Sequence, residues 1–113
     1  MQHLGKIVNE DKIFELIKKL DTTSFIEQDK YWTEIKNLDI DIPKYFLKAY
    51  PVFKKCQGRV HLVFSCVKYA RTSESAFELG VQALNDKATL VRYRGASILA
   101  YFYREKGQWK RSD

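Results

Sequence analysis

The chain has 113 residues, with 45% hydrophobic, 30% charged and 14% aromatic side chains, five glycines and two prolines. That is one domain's length with enough apolar side chain for a core, which excludes collagen-like, linker-like and strongly disordered chains. The formal charge is +6, and no apolar run approaches the ~18 residues of a transmembrane helix.

In chain order, the first predicted helix is 10–20. Ile13, Phe14, Ile17 and Leu20 form one stripe, Asn9 is the expected N-cap, and Glu10 and Asp11 suit the positive end of the helix dipole. Asp21-Thr22-Thr23 breaks it. Ser24 and Glu27 have capping-box spacing before a second helix over 25–37, with Trp32 and Ile35 turned inward. An extended connector, 38–43, places Pro43 in the first turn of a third helix. Pro51 lies inside that helix's pattern and predicts a kink or break, with Gln57-Gly58 ending the segment.

Residues 59–70 are apolar on nearly every side and read as a central buried helix; a strand is the alternative, but no neighbour alternates with period two. Thr72 or Ser73 caps a helix over 74–84, apolar on two faces. Its Gly80 suggests close approach by another helix. Asn85-Asp86-Lys87 is a turn. The last helix, 89–105, turns Val91, Gly95, Ile98, Leu99 and Phe102 inward, Lys106-Gly107 stops it, and a basic tail follows. The expected class is all-α: antiparallel helix pairs, joined by short links, in a single domain over 1–113.

At residues 72–103 the pattern resembles a HEAT repeat, a helix pair of about 40 residues. Asp86 stands in the turn and Arg92 six residues later opens the second helix, with Val91, Ala96 and Leu99 in the accompanying small and apolar places. The resemblance implies a short right-handed solenoid or an irregular helical bundle. It implies that Asp86 accepts N–H groups of the last helix and pairs with an arginine of its own or an adjacent repeat. The chain stops where such an array would be capped. Ile98, Tyr101, Phe102 and Tyr103 then leave an open end, covered either by Trp109 or by a dimer or partner contact.

Residues 1–56 hold ten lysines against nine carboxylates; residues 57–113 hold ten Lys and Arg against five, including all six arginines. The basic excess gathers on 87–111, interleaved with Tyr93, Tyr101, Phe102, Tyr103 and Trp109. Arg94, Arg104, Tyr101, Trp109, Lys110 and Arg111 are therefore the candidate binding residues. Their chemistry suits an acidic protein partner, where Arg, Tyr and Trp are the usual anchors, or a nucleic acid. Arg92 lies about 200° around the helix from Arg94. Arg92 therefore reads as structural, in a bridge to Asp86, and Arg94 as available.

No catalytic residue is nominated. His61 and Ser65 lack an acid to orient the ring, and Asp39/Asp41 and Glu10/Asp11 read as solvated or capping residues. Two cysteines and two histidines without ligand spacing predict no metal site or cofactor, and point to reduced thiols in the cytoplasm. The expected function is a non-enzymatic protein–protein interaction module, of the kind seen among helical adaptors and immunity proteins. The alternative is a nucleic-acid-associated HEAT-like protein.

Overall fold

The computed structural model describes residues 9–105. They form α1 (Glu10–Lys18), α2 (Phe25–Lys36), α3 (Ile42–Ala49), α4 (Cys56–Ser65), α5 (Glu74–Ala83) and α6 (Thr89–Glu105), with 3-10 turns at Tyr50–Val52 and Val67–Tyr69. No strand occurs among the described residues.

Four helix starts are set by the side chain just before them. Asn9 accepts the N–H groups of Asp11 and Lys12 at 2.9 and 3.2 Å. Ser24 accepts that of Glu27 at 3.1 Å, Asp41 that of Lys44 at 3.2 Å, and Ser73 that of Ala76 at 3.1 Å. Each bond satisfies a donor that no intrahelical carbonyl can reach, a contribution of about 1 kcal/mol. Pro43 sits in the first turn of α3, and the pattern carrying Pro51 breaks into the 3-10 turn that follows Ala49.

The start of α4 differs from expectation. Gln57-Gly58 does not end the preceding segment but lies in the first turn of α4, which begins at Cys56 and ends at Ser65 instead of running to Ala70. Its N-cap, Lys55, makes no side-chain bond. Asp21, far upstream, supplies the anchor: its two carboxylate oxygens accept the N–H groups of Lys54 and Lys55, each at 2.9 Å. Gly58 permits this approach. A Cβ there would lie 2.8 Å from Asp21 Oδ1 and 2.9 Å from Asp21 Cα.

The core is continuous from Ile17 and Leu20 through Ile35, Phe46 and Leu62 to Leu79 and Ile98, all fully buried. Burial of each such side chain contributes about 1.5–3 kcal/mol. Helix α1 packs on α2 and α3, α3 on α5, and α4 on α6 and α5, while α5 and α6 form the most extensive pair. Two glycines let α5 and α6 approach closely. A Cβ on Gly80 would lie 2.9 Å from Ile98 Cβ, and one on Gly95 2.8 Å from both Ala83 Cβ and the Gly80 carbonyl oxygen. Ile98, expected on the open end, is fully buried at this contact.

Candidate binding surface

Asp86, in the turn between α5 and α6, gathers four donors. Its Oδ1 accepts the Ala88 N–H at 2.8 Å and Arg59 Nη2 at 3.0 Å. Its Oδ2 accepts Arg59 Nε at 2.8 Å and the Tyr50 hydroxyl. Arg59 also donates Nη1 to the Lys54 carbonyl at 3.0 Å. The Arg59 and Asp86 side chains are only 8% and 5% exposed. Burial alone would raise the Asp86 pKa, but the bonds from Arg59, Tyr50 and the Ala88 N–H outweigh it and hold the carboxyl at about 2. Burial, then the bond to Asp86, pushes the Tyr50 hydroxyl above its ordinary range.

This arrangement corrects the expected Asp86–Arg92 bridge. Arg92 donates Nη1 to the Asp86 backbone carbonyl at 2.8 Å and Nη2 to Thr89 Oγ1 at 3.0 Å, not to the carboxylate. The carboxylate's partner is Arg59, which joins the α5–α6 turn to α4 and, through Tyr50, to the segment after α3. An arginine in an apolar helix signals a buried carboxylate partner, but the spacing of residues 59 and 86 does not say which one. The cluster is saturated by its own bonds and works as a structural joint.

Arg94 sits differently. Its guanidinium carbon lies 4.4 Å from the Phe64 ring centroid and 5.3 Å from that of Tyr93. Its Nε is buried without a hydrogen-bond partner among the described residues. Phe64 is 53% exposed, Tyr93 60% and Tyr101 45%. Tyr101 follows Arg94 by seven residues, about two helical turns, and so shares its side of α6. A cleft of about 520 Å³ opens beside them, lined by Trp32, His61, Phe64, Val67, Lys68 and Tyr101. His61 meets Trp32 edge-on at 5.1 Å. Burial lowers its pKa to about 4, against a small opposing influence of Asp29, so the imidazole is neutral at pH 7. Its Nε2 has no partner among the described residues.

Of the candidate binding residues, Tyr101 thus lines the cleft and Arg94 lies against Phe64 in its wall. Arg104, exposed, lies about one turn beyond Tyr101. Trp109, Lys110 and Arg111, with the expected helix stop at Lys106-Gly107, lie outside the described residues. Sequence reasoning missed Phe64, Trp32 and Lys68. Phe64 had a readable signal: Arg59, Leu62, Val63 and Cys66 form the buried stripe of α4 and its C-cap, and Phe64 falls off that stripe.

The other large cleft, about 690 Å³, lies on the outer side of α5 between Phe77, Val81 and Phe102. The Phe77 and Phe102 rings meet at 4.6 Å, tilted by 48°, and Tyr103 is 45% exposed beside them. Arg71, Glu74 and Glu78 give that rim mixed charge. Among the described residues, no group of His, Cys, Asp and Glu could hold a metal ion, and no helix is long and apolar enough to cross a membrane. No family model, curated protein or solved structure matches the chain.

Proposed function

We propose that the chain is a HEAT-like, non-enzymatic helical module that binds another protein in the cytoplasm, as an adaptor or as the immunity partner of a toxin. The observation that carries this reading is Arg94, lying against two exposed aromatic rings with no carboxylate partner among the described residues, beside an aromatic cleft. Arginine and aromatic anchors are what protein interfaces use, because they bring large contact area and fixed donors at low entropic cost. The HEAT-like reading is supported by the packing of α1 on α3 and α3 on α5, of α4 on α6, and by an Asp86 that pairs with an arginine of α4.

Affinity capture with wild type and a Phe64→Ala/Arg94→Gln variant as parallel baits tests this. One protein should be recovered by wild type and lost with the variant. Equal recovery would remove this face from the interface. The same aromatic and cationic chemistry also suits nucleic acid. Under that second reading duplex or single-stranded DNA should bind at low salt and release steeply as salt rises.

A further inference from the structure

Resting on the protein-binding reading, we propose that the Arg94–Phe64–Trp32 face takes an acidic peptide segment that carries an apolar or aromatic anchor, the anchor entering the cleft between α2, α4 and α6 and its flanking carboxylates reaching Arg94 and Lys68.

The clefts among the described residues differ in what lines them, and the one at the start of α3 carries the carboxylates Asp41 and Glu74. The depression beside Tyr50 is occupied by the Arg59–Asp86 pair, whose donors and acceptors are mutually satisfied. The cleft on α5 is rimmed by Arg71, Glu74 and Glu78, a mixed rim whose excess of carboxylate does not select an anionic occupant. The cleft at Trp32 has no Asp or Glu in its lining, and its ionisable groups are Lys68 and a neutral His61. Its walls are mostly apolar, from Trp32, Phe64, Val67 and Tyr101, with Ser65 and the His61 ring as polar points, so it accepts an apolar side chain.

Cations stand around it. Lys68 is exposed in its lining, Arg94 lies against the Phe64 ring, and Lys36 lies 5.9 Å from the Trp32 ring centroid. Contact with the Phe64 ring, whose centroid lies 4.4 Å from the Arg94 guanidinium carbon, restrains that guanidinium. A planar fork so placed loses little freedom when a carboxylate accepts its two parallel N–H groups. Apolar centre, cationic rim and restrained guanidinium together select an acidic segment with a central anchor. A uniformly charged polyanion would leave the cleft unfilled.

A display library of random dodecapeptides, panned against the full chain, tests the assignment. Enriched peptides should place Asp or Glu on both sides of an aromatic residue or leucine. A synthetic representative should lose about tenfold or more in affinity with Arg94→Gln, and similarly with Phe64→Ala. It should lose as much when its own anchor becomes serine. Circular dichroism and thermal unfolding confirm that each variant folds. Enriched peptides that are neutral or basic, or binding untouched by Arg94→Gln, would overturn this site while leaving the protein-binding reading standing. No enrichment, together with salt-sensitive DNA binding, would overturn both.

Discussion

Asp86→Asn removes one charge from the joint between α4 and the α5–α6 turn and keeps the side chain's size. Arg59 stays behind, 7% exposed, with no carboxylate to balance it. Breaking a buried ion pair from one side costs about 3–5 kcal/mol, because the remaining charge is left desolvated and unpaired. Linkage gives a second figure. The Asp86 carboxyl is lowered from 3.8 to about 2 in the folded chain. At ~1.4 kcal/mol per pKa unit this corresponds to about 2–3 kcal/mol of stability at neutral pH. Because the folded pKa is the lower one, that stability is fully present above the unfolded value of 3.8 and is lost as pH falls towards about 2. Urea unfolding followed by circular dichroism at pH 7 should therefore show Asp86→Asn less stable by about 3 kcal/mol. Its melting temperature should fall by roughly 10 °C or more. The gap should narrow as the pH is lowered through the interval between those two pKa values. Replacing both partners, Arg59→Met with Asp86→Leu, should be less harmful than either single change. A loss under about 1 kcal/mol for Asp86→Asn would show that water already solvates the pair, and the reasoning would fail.

Gly95→Ala tests the α5–α6 contact. The new methyl meets the Gly80 carbonyl and Ala83, so overpacking should outweigh the ~1 kcal/mol gain in helix propensity, and chemical unfolding should show a net loss. His61 should titrate near pH 4 by NMR; since its folded pKa is lowered, stability is complete above its usual 6.5 and declines as pH falls towards about 4. A titration near 6.5 would mean the ring is solvated. Cys56 is exposed and Cys66 is buried, its thiol pushed up to about 12 by burial, with Asp41 adding to the rise. A thiol reagent should modify one cysteine in the native chain and the second only on unfolding, and rapid modification of both would contradict the packing of α4.

Much of the local architecture was legible because it depends on residues within one helical turn of each other. The caps at Asn9, Ser24 and Ser73 act on N–H groups two or three residues away, and the break at Pro51 follows from a missing donor and a ring clash, whereas Asp41, read as part of a connector, turns out to cap α3. The close approach at Gly80 was also readable, since a glycine inside an apolar helix needs a reason to be there.

The site was legible only in its α6 half. Arg94 and Tyr101 stood out by charge and aromatic interleaving, whereas the rings beside them come from α2 and α4. Phe64 looked like core because its helix is apolar on most sides, yet the residue is 53% exposed. Hydropathy says that a side chain avoids water, not whether a neighbour arrives to cover it.

What the sequence alone determined is the set of helices, most of their starts and the concentration of basic residues on the last one, because capping, periodicity and composition are short-range properties. Only the tertiary structure decided that Asp21 anchors the start of α4, that Asp86 takes Arg59 and not Arg92, and that Arg94 lies on Phe64. Those pairings join residues 27 to 34 positions apart. A charge cannot choose among distant partners until packing has brought one of them within hydrogen-bonding distance and removed the water between them.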